Sequence, residues 1–184
     1  MVIYNGKIEI QSYFSDDLQH RYYLKRKYHS DKYSYLIQRK LCYILINPSY
    51  ADELLFDKTN MLASNIGVRE NFNEVVILNM YSLITKDKKF LMKKLGIAYD
   101  SINDATILNE CLEAEQIILS WGIDEEFQER QNELLNLLKS NGLLEKSLRI
   151  VFEDRNGKIY DPAHLSMYLS DNPYNFKIKK FNEL

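Results

Sequence analysis

The chain is poor in several of the residues that mark large protein classes. Its 184 residues include two cysteines, three prolines, six glycines, three histidines and one tryptophan. Cys42 and Cys111 share no metal-ligand spacing and are too few for a disulfide framework. Each falls in an apolar segment and reads as a buried thiol. His20, His29 and His164 make no zinc or iron pattern, and no His-x-Glu is joined to a Cys-x-x-Cys. Neither a metal nor a cofactor is therefore expected. The glycines form no phosphate-binding loop, dinucleotide fingerprint or Gly-x-Ser-x-Gly elbow. Ser49 has no neighbouring histidine, which argues against serine nucleophile chemistry. No segment approaches the roughly 18 apolar residues of a membrane span. The first residues lack the basic-then-apolar pattern of a signal peptide. The expectation is a cytoplasmic chain with no membrane partner.

What is present fits one α/β domain over residues 1–184. Hydrophobic residues make up 46% and charged residues 27%, enough for a sizeable core. Within it, residues 1–40 form a basic, Tyr-rich head, 41–170 the core and 171–184 a tail. The formal net charge of −2 hides an asymmetry. Between Leu18 and Lys40, Arg21, Lys25, Arg26, Lys27, Lys32, Arg39 and Lys40 stand against Asp31 alone. Between Asp104 and Glu133, nine acids stand against Arg130 alone. Such polarity suggests one face suited to an anionic partner and another that repels it.

Strand and helix alternate along the chain. Val2 to Ile10 reads as a hairpin or edge element turning at Asn5-Gly6. Arg21 to Arg26 and Tyr33 to Ile37 read as antiparallel strands of the head. Cys42 to Ile46, Glu74 to Asn79, Gln116 to Leu119 and Leu148 to Phe152 are short apolar, β-branched runs of buried-strand type. Lys58 to Ile66, Asn103 to Ala114 and Asp124 to Lys139 carry helical spacing, the last with acids in its first turn and Asn141-Gly142 as a stop. Strands separated by helices predict a three-layer sandwich around a four-stranded parallel sheet, with antiparallel strands added by the head.

Polar residues gather at the ends of these strands. The first run stops at Asn47-Pro48, because proline cannot donate to a ladder. It gives way to Ser49, Tyr50, Ala51 and Asp52, with Asp57 and Thr59 following. Asn79 to Ser82 and Ser120 to Gly122 close two more strands, and Asp161-Pro162-Ala163-His164 follows the fourth. In a parallel sheet these ends share one edge, where α/β proteins build their sites.

These motifs resemble a bacterial and phage family of unknown function. Its signature runs Leu-Asn-Pro-Ser-Thr-Ala-Asp, then Asp-Asp-Pro-Thr, Val-Val-Asn-Leu-Phe, Asn-Asp, Ala-Trp-Gly and a late His-Pro-Leu. The matching segments here are Ile46 to Asp52, Phe56 to Thr59, Ile77 to Tyr81, Asn103-Asp104 and Ser120 to Gly122. The head segment Arg21 to Arg26 matches the family's Arg-Tyr-x-Leu-x-Arg opening. Tyr50, Lys58 and the order of Asp161 to His164 depart from the pattern. The layout is also similar to the uracil-DNA glycosylase superfamily, which has an Asn-Pro or Asp-Pro turn after the first parallel strand and a His-bearing loop after the last.

That second resemblance implies hydrolysis of an N-glycosidic bond on a nucleobase or nucleotide, in DNA in the first instance. Asn47 would position a water, with Asp52 or Asp57 supplying a carboxylate. Pro48, Ser49, Tyr50 and Thr59 would line the base site; Asn79 and Tyr81 would read and stack the base. Trp121 with Gly122 would form a wall, and His164 would donate to a departing carbonyl. The basic residues Arg21, Lys25, Arg26, Lys27, Arg39 and Lys40, interleaved with tyrosines, would contact phosphates. Against these roles stand plainer ones: turn and helix capping for Asn47 and Asp52, a core position for Tyr81 and Trp121, a solvated face for the head. A binding module without turnover, for nucleotides, nucleic acid or a host protein, is the competing reading.

Overall fold

Residues 1–32, 38–50, 54–154, 156–169 and 176–181 are described by a computed structural model. The expected strand at Tyr33 to Ile37 lies outside them, as does Asp52. Among the described residues the strands are β1 (Gly6–Phe14), β2 (Arg21–Ser30), β3 (Lys40–Leu45), β4 (Glu74–Asn79), β5 (Gln116–Leu119), β6 (Ser147–Glu153), β7 (Ile159–Tyr160) and β8 (Phe176–Lys180). The helices are α1 (Lys58–Arg69), α2 (Lys88–Lys93), α3 (Ser101–Glu113) and α4 (Gln128–Ser140). Short 3-10 turns include Glu125–Phe127, which leads into α4, and Leu165–Leu169.

The protein is α/β, with one mixed sheet in the order β1-β2-β4-β3-β5-β6-β7 and β8 paired to β6. β3 runs parallel to both β4 and β5, and β5 parallel to β6. The pairs β1–β2, β2–β4, β6–β7 and β6–β8 are antiparallel. The period of two along each central strand divides the core in half. Cys42, Ile44, Val76, Leu78, Ile117 and Leu119 face one cluster with Ile107 and Cys111 of α3 and Leu134 and Leu138 of α4. Leu41, Tyr43, Leu45, Val75, Ile77 and Ile118 face another with Leu62, Ala63 and Ile66 of α1 and with Leu165. Burial of each such Leu or Ile is worth roughly 1.5–3 kcal/mol. Both cysteines are free and buried.

Two elements differ from the sequence reading. Asn5-Gly6 does not turn a hairpin; β1 pairs with β2 instead. Asn5 meets Asp31 at the far end of that pair, through its backbone and amide N–H groups at 3.2 and 3.0 Å. Helix α1 does not stop at Gly67 but passes through it to a cap at Glu70. Gly67 is there for close approach, since an added Cβ would collide with the Val75 side chain of β4. No helix among the described residues is long and apolar enough to cross a membrane.

Candidate functional site

The path of the chain defines where a site belongs. From β3 the chain moves outward to β4, then returns across β3 to β5 on its other side. That reversal opens a crevice at the carboxyl ends of the parallel strands. Two cavities lie along this edge and share His164 as a common wall. The smaller, about 220 Å³, is bounded by Arg21, Leu45, Asn47, Ser49, Asp57, Asn79 and His164, with Pro48, Thr59 and Lys86 also in its lining. The larger, about 640 Å³, sits at the ends of β3 and β5 against Ile46, Trp121, Gly122, Tyr160, Met167 and His164.

Asn47 follows β3 directly, and its orientation is set by two carbonyls. Its Nδ2 donates to Thr85 O at 2.7 Å and to Pro48 O at 3.1 Å. Thr85 N in turn donates to Pro48 O at 3.0 Å, which stitches the loops after β3 and β4 together. With the NH2 group committed, Oδ1 is the atom of Asn47 able to accept a proton donor from a ligand or water.

Asp57 is the N-cap of α1. Its Oδ1 accepts from the Asn60 backbone N–H at 2.8 Å and from Asn60 Nδ2 at 2.9 Å. Its other oxygen accepts from the Ser49 hydroxyl. Burial pushes its carboxyl up, but those hydrogen bonds and the charge of Arg21 outweigh burial and hold it below the usual carboxylate range. An ionised, triply bonded cap is a poor proton acceptor. The Asp57-x-x-Asn60 spacing is a capping signal that was legible in the sequence and was not used.

Asn79 ends β4, and its side chain is 1% exposed. Its Nδ2 lies buried in the wall of the small cavity with no hydrogen-bond partner among the described residues. A buried donor left unmet costs about 1–3 kcal/mol. The backbone around it is pinned: Asn103 Nδ2 donates to Asn79 O and Met80 O at 3.2 and 3.0 Å, and Arg130 Nε donates to Met80 O at 3.1 Å. Arg130 is buried and pairs with Asp104 and Glu133. Asn103 and Asp104 thus open α3 while holding the end of β4.

His164 is carried by the loop after the β6–β7 hairpin. That loop is tied to the sheet by Ala163 N donating to Ile150 O at 2.6 Å and by the Ser120 hydroxyl donating to Ala163 O at 2.7 Å. Ser166 N donates to His164 Nδ1 at 3.2 Å, so Nδ1 is the acceptor and Nε2 carries the hydrogen. Burial pushes the imidazole below its ordinary range, against the charge of Asp57, which pulls it up. A neutral imidazole with an N–H donor results. Gly122, in the left-handed region at φ 82°, passes beside it; a Cβ there would sit 3.7 Å from the Cβ of His164.

The remaining candidates are dispersed. Tyr50 is exposed at the rim, where Lys86 Nζ lies 5.3 Å from its ring centroid. Tyr81 is buried edge-on against Tyr99 and Phe127, away from the small cavity. Trp121 is buried and forms a wall of the larger cavity. Arg26 is buried under the site, its guanidinium 4.0 Å from the Phe56 ring centroid and bonded to Asn60 Oδ1 at 3.3 Å. Lys25, Lys27, Arg39 and Lys40 lie at the amino end of the parallel strands, the opposite edge of the sheet. There Lys25 meets Glu110 at 2.9 Å, Lys40 meets Glu113 at 2.7 Å, and Arg39 holds Glu115 through two bonds of 2.8 Å. Three cations of the basic head and three acids of the acidic stretch therefore pair with each other. Among the described residues no group of three or more His, Cys, Asp or Glu could hold a metal ion.

A family model described as "Protein of unknown function (DUF1643)" matches residues 21–162. The chain belongs to this family. The match opens at Arg21 and closes at Pro162, so it takes in every parallel strand and both cavities except His164 and Met167. No curated protein and no solved structure matches the chain.

Proposed function

We propose that this family member is a glycosylase-like protein that takes a nucleobase into the small cavity and hydrolyses the N-glycosidic bond holding it. The observation that carries the reading is Asn79. A buried amide donor with no partner among the described residues, facing a cavity at the carboxyl edge of a parallel sheet, suits a planar heterocycle with matching polar edges. Asn47 and His164 support it from the adjoining loops, in a layout similar to that of the uracil-DNA glycosylase superfamily.

In this reading a water hydrogen-bonded to Asn47 Oδ1 attacks the sugar carbon. The carbon–oxygen bond forms as the carbon–nitrogen bond breaks, and the electron pair leaves with the base. His164 Nε2–H donates to a carbonyl of the departing base, and the proton released by the water passes to solvent. Asp57, held in the helix cap, supplies negative charge near the sugar rather than taking that proton. The substrate form favoured is a nucleoside or nucleotide, because Lys25, Arg39 and Lys40, three of the head residues expected to track a DNA backbone, are ion-paired at the other edge. A binding module without turnover is the second reading. The observation favouring it is that Asp57, the one carboxylate that lines the small cavity among the described residues, is fully engaged.

The test is release of free base from nucleosides, nucleotides and single- or double-stranded oligonucleotides carrying normal and modified bases. Chromatography would follow the free base, and mild alkali would reveal abasic sites. The expected result is release that falls by about 10²-fold or more in Asn47→Ala, the scale of removing one transition-state hydrogen bond. Undiminished release by that variant would overturn the reading. Tight nucleotide binding without release would replace it with the second.

A further inference from the structure

Strand β1 ends the sheet on one side, and among the described residues no strand lies beyond it. Its nine residues, Gly6–Phe14, exceed the usual strand of about 5–6. An open row of backbone N–H and C=O groups along such an edge is a template for another strand. Natural edges are blunted by proline, by unbalanced charge, by a bulge or by short length. β1 contains no proline, and its one irregularity, between Tyr13 and Phe14, lies at its very end. β2 pairs with β4 only from Leu24 to Lys27. Gly6 and Lys7, opposite Ser30 and His29, therefore reach past that pairing as a two-stranded ribbon, with no third described strand beside it. A ribbon of this kind is marginal in water by itself.

The side chains of β1 identify what fits the edge. Lys7 and Glu9 are exposed on one face, with Lys7 Nζ 2.7 Å from Glu9 Oε1. Ile8 is 48% exposed on the other face, next to Ile10, which packs against the α1-side core. A two-fold axis perpendicular to the sheet keeps every side chain on its own face. With that axis at Ile8, each Lys7 stands opposite the partner's Glu9. Each Ile8 then meets the partner's Ile8 directly and the partner's Ile10 on the diagonal. An axis at Lys7 or at Glu9 would set like charges opposite each other, and one at Ile10 would set both charges against uncharged side chains. Where the pairing runs on past β1, the exposed Ile3 falls opposite the partner's Tyr13, itself 41% exposed. Charge complementarity thus favours one occupant, a second copy of this chain, and one register.

We propose that the chain forms a homodimer by antiparallel pairing of β1 with β1 of a second copy, centred on Ile8, which joins the two sheets into one. The inference is independent of the glycosylase reading, since β1 contributes nothing to either cavity. A single strand pair falls at the small end of specific interfaces, below about 1,200 Å², so the dimer forms in proportion to concentration, with a Kd on the order of 1–100 μM.

Sedimentation velocity of the whole chain, over a concentration series spanning that range, should show monomer passing into dimer. Glu9→Lys sets two like-charge pairs across the axis and should weaken association by about tenfold or more; Lys7→Glu should do the same. The combined variant Lys7→Glu, Glu9→Lys reverses each pair and should restore the wild-type constant. Both positions are exposed, so these variants leave the core untouched. Register has its own readout. Cys42 and Cys111 are buried, so Ile8→Cys introduces the accessible thiol and should give a disulfide-linked dimer under mild oxidation. Ile10→Cys should not, because the axis does not pass through it. A chain that stays monomeric throughout, a dimer indifferent to Glu9→Lys, or linkage through Ile10→Cys in place of Ile8→Cys would each overturn the proposal.

Discussion

The two edges of the parallel sheet are built from the same kinds of side chain and use them in opposite ways. At the amino edge, Lys25, Arg39 and Lys40 meet Glu110, Glu113 and Glu115 of α3 and the residues just after it, and the charges cancel within the chain. The concavity there, about 290 Å³, has four of these partnered ions in its lining, Arg39, Lys40, Glu113 and Glu115. At the carboxyl edge, Asn79 keeps a buried donor that no described residue meets, in the wall of a cavity. One edge spends its polar groups on holding strands and helices together. The other retains them at a cost in stability, which is the expected mark of a binding edge.

The sharpest way to break this comparison is to remove the retained group. Asn79→Leu is close in volume and deletes a buried donor that nothing among the described residues meets. Thermal unfolding should show stability unchanged or raised by up to about 1–2 kcal/mol, within the cost of an unmet donor. Base release or base binding should fall by about 10²-fold. A variant both unstable and active would mean that Asn79 is structural, and the contrast between the edges would fail.

Removing one partner at the other edge should give the opposite pattern. Lys40 is largely buried between Glu110 and Glu113. Burial lowers the ammonium, yet the hydrogen bonds to the two glutamates outweigh it and hold the group above its ordinary range. Lys40→Met strands Glu110 against Lys25 alone and should destabilise the fold by about 2–3 kcal/mol in chemical denaturation. Ligand binding per folded molecule should not change. A loss of binding in this variant would bring the amino edge back as a nucleic-acid surface.

A smaller effect is expected at the helix cap that joins the site to the core. Asp57→Ala removes the acceptor for Asn60 N–H and should cost about 1–2 kcal/mol of stability. If Asp57 only caps and supplies charge, Asp57→Asn should recover most of the stability while base release stays several-fold low. Full activity in Asp57→Asn would take the carboxylate out of the chemistry.

How much of this was legible in the chain depended on the range of the interaction. β4 runs from Glu74 to Asn79 as read, because a buried run bounded by polar residues is a local signal. The polar ends at Asn47, Asn79 and His164 were legible for the same reason, and they do converge. The charge pattern misled because its solution is non-local: Lys25 and Glu110 are 85 residues apart, and Arg39 and Glu115 76. A linear count sees a basic face and an acidic face; the fold brings them together. Gly67 misled in another way, since a glycine needed for close approach looks like a helix stop until its neighbour Val75 is in place. Helix α2, six residues with three lysines and no full period, carried no signal at all.

The smallest predicted effect tests the protonation state on which the carboxyl edge relies. Burial holds folded His164 below its ordinary range, so above pH about 6.5 both folded and unfolded chains carry it neutral and it is silent in stability. As pH falls below that point the unfolded histidine takes up a proton that the folded one refuses. The unfolded state then binds more protons, and stability drops until the folded pKa is reached, after which the slope vanishes. His164→Gln should flatten the unfolding free energy in that mildly acidic window and leave it unchanged above neutral pH. The nearby Asp57 does not obscure the measurement, because its depressed pKa places its own loss of stability at lower pH, beginning as the unfolded carboxyl protonates near about 3.9. Ligand binding adds the readout that matters for function. A change of charge on His164 in this window would alter affinity for a bound base only if the imidazole lines the site. An affinity that shifts with pH in the wild type and not in His164→Gln would place His164 in the wall of the site, whereas an affinity that falls only with the folded fraction would reduce it to a packing residue.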